Sequence, residues 1–495
     1  MSLYRTACTS IVALFCAVCC FSALGQAQAV KQPNMVLIVV DDLGWTDVGC
    51  YGSTFYETPN VDRLAREGMR FLAGYAACPV CSPSRAAIVT GRWPQRSGIT
   101  DYLGAPQPAA WRRNTRLLPA PYETALRLEE QTIAEALKAH GYSTFFAGKW
   151  HLGPEGFYPE NQGFNFNLGG TERGGPYGGN RYFSPYGNPR LPDGPPGEHL
   201  PDRLARETAQ FIRTHRDRPF FAMLSFYSVH TPLMAREDLK QKYEEKRARL
   251  GLQPQWGREG PRDVRLVQEH AVYAAMVEAM DQAVGTVLKA LDEQGLTDHT
   301  LVIFTSDNGG LSTSEGWPTS NVPLRAGKGW LYEGGIRVPF IVRWPGVVPA
   351  GTENDTPVCG VDIFPTLLAA AGLPTPAQPP LDGINLLPLF QGDALPRRSL
   401  YWHYPHYGNQ GGAPGAAVRH GTWKLIEWYE DNSVELYDLE SDLSETRNLA
   451  TEHPDLVKEL QDELHAWQKE VGARFPTANP AFDPNKPDGR IATRR

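Results

Sequence analysis

The chain has 495 residues, 41% of them hydrophobic and 21% charged, with 48 basic against 55 acidic side chains and a net charge of −7. A length of this order buries a substantial core and usually divides into domains. No basic surplus exists to attract nucleic acid, and an anionic ligand would be drawn by local basic residues against a mildly unfavourable overall field.

At the N-terminus, Arg5 precedes an apolar run from Ile11 to Leu24, and Ala27-Gln28-Ala29 has a small-x-small cleavage form. The run is too short for a comfortable membrane span. The pattern predicts a secretory signal peptide over residues 1–29, with an uncleaved anchor as the alternative. Four of the eight cysteines, counting Cys8, fall in this segment. Cys50, Cys78, Cys81 and Cys359 are too few for a disulfide scaffold. No other stretch is long and apolar enough to cross a bilayer. The mature protein is expected to be exported, periplasmic or secreted, with no stable membrane span.

Met35 to Val40 (MVLIVV) is an unbroken apolar run rich in β-branched residues and reads as a buried parallel strand. Asp41-Asp42 lie at its carboxyl end, where ligands bind in open α/β sheets. Thr300 to Thr305 (TLVIFT) repeats the pattern and leads to Ser306-Asp307-Asn308. Asp41-Asp42 are also compatible with a strand-ending turn. As ligands, these oxygens suit Ca²⁺ or Mg²⁺ and not zinc.

Between them, Cys81-Ser82-Pro83-Ser84-Arg85 opens an apolar run at helical spacing that reaches Thr90-Gly91-Arg92. Pro83 fits a first helical turn, which places Cys81 just ahead of a helix N-terminus that favours anions. Arg85 adds a fork of donors suited to oxyanions. A buried structural cysteine is the bland alternative. Thr132 to His140 reads as a short helix and Tyr142 to Ala147 as a strand, with Gly148-Lys149-Trp150-His151 at its end. Gly169 to Pro196 reads as a long, solvated loop, with Arg173, Tyr177 and Arg181 rimming a pocket as the alternative. Asp202 to Thr214 reads as a helix. Pro219 to Phe226 is a further buried strand, and His230 follows it. Arg236 to Arg262 is charge-rich, a surface insertion with a solvated helix. Val267 to Gln294 has helical spacing, its methionines reading as core filler. Lys328 follows the Asp307 turn, Phe340 to Arg343 reads as a strand, and Val361 to Thr366 begins a helix.

Around Leu381 to Asp393 the pattern changes to short strands: Ala416 to Arg419, Trp423 to Trp428 and Val434 to Leu439. An amphipathic helix follows from Asp455 to Val471. Together they predict a smaller α+β subdomain. The tail from Ala478 is rich in Pro and Arg and is expected to be mobile. Tyr401 to Gln410 is dense in aromatic and hydrogen-bonding groups, which suits a sugar ring. His403 and His406 are its candidate substrate contacts, and a strand and loop packing two domains is the alternative.

Cys81-x-Pro83-Ser84-Arg85 with Thr90-Gly91-Arg92 resembles the signature of the type I sulfatases, in the alkaline phosphatase-like superfamily. Gly141-Tyr142-x-Thr144 with Gly148-Lys149-Trp150-His151 is similar to their second signature, and the resemblance covers almost the whole mature chain. It implies an α/β fold: a large mixed, mostly parallel sheet flanked by helices. The segments are then signal peptide 1–29, catalytic domain 30–385 and C-terminal α+β subdomain with tail 386–495. It implies that a maturation enzyme oxidises Cys81 to formylglycine, whose hydrate attacks sulfur. Asp41, Asp42, Asp307, Asn308 and the position-81 oxygen match the ligands of a divalent cation, usually calcium, with magnesium possible. Arg85 is implied to hold the hydrated aldehyde. Lys149, Lys328 and His230 are implied to neutralise the sulfonyl oxygens. His230 or Lys328 is the candidate acid and His151 the candidate base. The expected activity is sulfate monoester hydrolysis, on a sulfated carbohydrate or other small molecule. Broad aryl sulfatase or phosphate ester hydrolase activity is the alternative, and a catalytically dead sulfated-glycan binder the outsider.

Overall fold

Strand β1 (Asn34–Val40) is buried at every position. Met35, Leu37 and Val39 enter one hydrophobic core while Val36, Ile38 and Val40 enter a second. Side chains alternate between the faces of a strand, so a core on each face demands an unbroken apolar run.

The remaining strands of this sheet are β2 (Met69–Phe71), β3 (Ser143–Gly148), β4 (Phe166–Leu168), β5 (Phe220–Ser225), β6 (Thr300–Ser306), β7 (Phe340–Arg343) and β8 (Thr352–Asn354). Their order is β8-β2-β7-β6-β1-β5-β3-β4. From β6 to β4 all neighbours are parallel, and β7 is antiparallel to both β6 and β2. Helices α1 (Cys81–Thr90) and, later in the chain, α5 (Ile363–Ala370) pack in one core. Helices α2 (Leu200–Thr214) and α4 (Ala271–Glu293) pack in the other. This is the mixed, mostly parallel sheet flanked by helices expected from the sequence.

The computed structural model describes residues 32–178, 181–376 and 378–491. The signal peptide expected over residues 1–29 therefore lies outside the described residues. Among those described, no helix is long and apolar enough to cross a membrane. Pro33–Arg495 forms one compact unit.

Strands β9 (Ser399–Tyr404), β10 (Gly415–His420), β11 (Trp423–Trp428) and β12 (Val434–Asp438) form a separate antiparallel sheet. Helix α6 (Pro454–Glu470) covers it, burying Leu460, Leu464 and Trp467, with the Trp467 ring stacked on Tyr401 at 4.8 Å. This α+β layer is not insulated from the rest. Its core also takes in Tyr75, Val80, Trp93 and Trp330.

Two expectations change. The charge-rich insertion contains the solvated helix α3 (Glu237–Leu250), but a hairpin of Trp256–Glu259 and Arg262–Arg265 follows it. The tail beyond Ala478 is not loose. The Asn479 and Gly489 amides donate to the carbonyls of Arg116 and Asn114, each at 2.9 Å. Proline and arginine composition suggested mobility, and backbone pairing to Arg113–Leu118 overrides it.

Candidate active site

Strands β1, β3, β5 and β6 run parallel, so their carboxyl ends share one edge. There the chain delivers Asp41 and Asp42, Lys149 and His151, His230, and Asp307 and Asn308. Helix α1 contributes Cys81 as its first residue and Arg85 one turn later. All ten core and metal-site residues expected from the sequence converge here, with Lys328 arriving on the loop after β6.

The contacts are close. Lys149 Nζ lies 2.6 Å from Asp41 Oδ2, and Lys328 Nζ 2.7 Å from Asp42 Oδ1. Arg85 grips Asp307 Oδ2 with Nε and Nη2, each at 2.8 Å. Its Nη1 donates to the Lys149 carbonyl and to Ser225 Oγ at the end of β5. Asn308 Nδ2 donates to Asp42 Oδ1 at 2.8 Å, and His230 Nε2 sits 3.8 Å from Asp42 Oδ2. Asp41, Asp42, Asp307 and Asn308 are fully buried.

Burial pushes the Asp41 carboxyl well above its ordinary range; Lys149 opposes this, while the Asp307 and Asp42 charges add to it. Burial also works to raise Asp42, but Lys328, His230 and Lys149 outweigh it and hold it low. Carboxylate oxygens of Asp41, Asp42 and Asp307 lie within 4.8 Å of one another. The Asp41 Oδ1 and Asn308 Oδ1 atoms are buried without a hydrogen-bond partner. Orphaned hard oxygens among mutually repelling carboxylates form a donor set that fits Ca²⁺ or Mg²⁺.

Position 81 faces the His151 ring. His151 Nε2 lies 3.0 Å from the Leu103 carbonyl, which can only accept, so Nε2 carries the proton. Nδ1 is then the free lone pair, 3.1 Å from Ser82 Oγ and 3.5 Å from Cys81 Sγ. Burial, reinforced by Lys149, holds the His151 ring neutral by lowering its pKa. Asp42 and His151 both have positive φ, 60° and 58°. Such strain in non-glycine residues collects where function requires it.

The four cysteines of the described chain are free thiols, with Cys81 only 3% exposed. His403 and His406 do not reach this cluster. His403 bonds Tyr429 Oη and the Arg474 carbonyl, and His406 Nε2 bonds Thr100 Oγ1 at 2.9 Å. Both rings are buried, and these bonds turn them toward protein groups. Several site residues carried no sequence signal, among them Ser225, which steadies Arg85, and Gly174, which lies against the His151 ring. The Gly169–Pro196 loop thus reaches the site through Gly174, with Arg173 over the Tyr177 ring.

Residues 33–373 match the family model described as Sulfatase, and 326–470 match that of the N-sulphoglucosamine sulphohydrolase C-terminal region. A curated "Sulfatase" of Formosa agariphila is 33% identical over 90% of each chain. Arylsulfatase A of Homo sapiens is 37% identical over 81% of this chain and 76% of its own, and N-acetylgalactosamine-6-sulfatase of Canis lupus familiaris 32% identical over 92% and 83%. The crystal structure of Ps i-CgsB matches with a TM-score of 0.74 and 30% identity over 90% of this chain and 95% of that one. The same protein was solved in complex with k-i-k-neocarrahexaose. Fold and cluster define a hydrolase of the alkaline phosphatase-like superfamily. Within it the chain belongs to the sulfatase family, and it acts on sulfate esters.

Proposed function

We propose that this sulfatase removes sulfate from a sulfated carbohydrate, using formylglycine made from Cys81 by a maturation enzyme. The observation that carries the reading is the base–residue pair: His151 Nδ1, unprotonated, faces position 81 inside a buried ring of cations. The carbohydrate follows the relatives, named for N-acetylgalactosamine-6-sulfate or solved with a neocarrahexaose. Hydrated formylglycine supplies the nucleophile that attacks sulfur. Calcium, or magnesium, held by Asp41, Asp42, Asp307 and Asn308, would acidify and orient that hydroxyl.

The chain's own groups do the rest. Arg85, locked by Asp307 and Ser225, holds the position-81 oxygens. Lys149 and Lys328 neutralise the sulfonyl oxygens from preset positions. His230 commits Nδ1 to the Thr231 carbonyl, which leaves Nε2 as its exchangeable site. A bound sulfate ester raises the affinity of Nε2 for a proton, which it then gives to the leaving oxygen. His151 Nδ1 takes a proton from position 81 to expel sulfate. The export expected from residues 1–29 is part of the same proposal.

Mass spectrometry of the position-81 peptide, from protein produced with a maturation enzyme, is expected to show conversion of cysteine to the aldehyde. Cys81→Ala is expected to fold and release no sulfate. A fully active sample carrying only unmodified cysteine overturns the proposal.

A further inference from the structure

Beside the cluster lies a cavity of about 370 Å³ whose walls include Asp101, Tyr102, Arg113, Arg262, Tyr407 and Asn409. Arg262 is only 5% exposed, yet its Nη2 donates to a neutral group, the Asn409 carbonyl, and its Nε has no partner. Arg113 donates to the carbonyls of Gly489, Tyr407 and Gly408. Its guanidinium rests over the Trp111 ring at 5.2 Å and the Tyr407 ring at 6.0 Å. Among the described residues neither guanidinium hydrogen-bonds a carboxylate. Asp101, the acid in the wall, is turned inward, accepting from Tyr404 Oη and the Tyr102 amide. Arg262, buried, and Arg113, half-buried, face one cavity with Glu315 and Asp488 acting on them only as unbonded neighbouring charges, an arrangement that an anion bound between them would stabilise. Burial, with Arg113 as a neighbouring charge, lowers Arg262 to about 10.

Three connections join the wall of the cavity to the sulfate site. Leu103, whose carbonyl meets His151 and whose amide meets Ser82 Oγ, directly follows Tyr102 of the wall. Gly329, next to Lys328, packs against the Gly408–Gly412 loop that carries Asn409; a Cβ there would lie 2.5 Å from Gln410 Oε1. Glu315 accepts from Gln410 Nε2 at 2.6 Å and from Thr231 Oγ1 at 3.4 Å, so it links the cavity wall to the neighbour of His230. From Asp101 to Leu103 the backbone spans at most ~7 Å.

We propose that Arg113 and Arg262 form a second oxyanion subsite, and that the substrate is a sulfated sugar carrying another anionic group, a carboxylate or a second sulfate, close to the scissile ester. The inference rests on the carbohydrate sulfatase reading and narrows it. A planar, always charged guanidinium suits either oxyanion, and the stacked Arg113 is already oriented for it. The two cations also select: a neutral sugar sulfate would leave both unpaired, so charge in this cavity discriminates between substrates that share the same ester.

The test compares the mature enzyme with Arg262→Met, Arg262→Lys and Arg113→Gln on sulfated disaccharides. One panel has a single sulfate and no other charge, one a single sulfate plus a uronate, and one two sulfates with no uronate. In the wild type kcat/KM is expected to be at least tenfold higher for a doubly anionic panel, and which panel gains identifies the oxyanion. Arg262→Met and Arg113→Gln are expected to lower that ratio at least tenfold, and Arg262→Lys to restore part of it. A variant that slows all panels equally makes the arginines supports of the fold and overturns the subsite. Thermal stabilisation by the same disaccharides reads occupancy without turnover. A wild type stabilised no more by doubly than by singly anionic sugars overturns the subsite even where no sugar is hydrolysed. Turnover of phenyl sulfate alone, with no sugar cleaved, instead overturns the carbohydrate reading.

Discussion

Asp281 lies in the middle of α4, where its carboxylate holds the start of another helix. It accepts from the amides of Asn60, at 3.0 and 3.2 Å, and Val61, at 2.8 Å, and from Asn60 Nδ2. The helix Pro59–Arg66 has no side-chain cap of its own, so Asp281 supplies acceptors that its first turn lacks. Burial raises the Asp281 pKa to about 6, and the hydrogen bonds from Val61 and Asn60 pull against that rise. A folded-state pKa above the unfolded value contributes stability below the unfolded pKa, and that contribution is lost as pH rises toward 6. Asp281→Asn removes the titration. The stability of the wild type relative to this variant is therefore expected to fall between about pH 4 and 6, by roughly 2–3 kcal/mol. Parallel melting curves across that range check it, and a constant difference contradicts it.

At the scale of elements, the loop over the active site sets the His151 ring. A Cβ at Gly174 would lie 2.5 Å from His151 Cε1 and 2.8 Å from Nε2. Gly174→Ala is expected to push the ring off the Leu103 carbonyl and lower kcat at least tenfold, with a melting temperature close to wild type. An unchanged kcat would mean that the loop yields and the ring stays. What the sequence made legible follows from burial on both faces. β1, β5 and β6 read as strands because two cores leave no room for polar positions, and their carboxyl ends located the site. The Trp256–Arg265 hairpin escaped because WGRE and RDVR carry no apolar alternation. The composition around His403 and His406 counts hydrogen-bonding groups without saying which way they face. β9 and the turn after it direct both rings to protein partners. Arg262 was masked by the charged run around it, and only the fold shows it buried.

Taken whole, Pro33–Arg495 holds three buried carboxylates and an unpartnered amide oxygen at one point, bringing like charges together. A divalent cation bound there binds the folded chain and not the unfolded one, adding about 2.7 kcal/mol at a hundredfold excess over its Kd. The melting temperature is therefore expected to rise in calcium and fall in a chelator, whatever the state of Cys81. Equal values in both would exclude a cation at these residues. The centre of the main sheet also sets an order of assembly. β1 leaves the ribosome early, but its two neighbours begin at Phe220 and Thr300. Contacts so distant along the chain form slowly. Until they do, Asp41 and Asp42 have no Asp307 or Asn308 to meet, and the pocket that holds Cys81 at 3% exposure does not yet exist. The conversion proposed for Cys81 would therefore have to reach the thiol before β6 is in place, because the folded pocket closes over it.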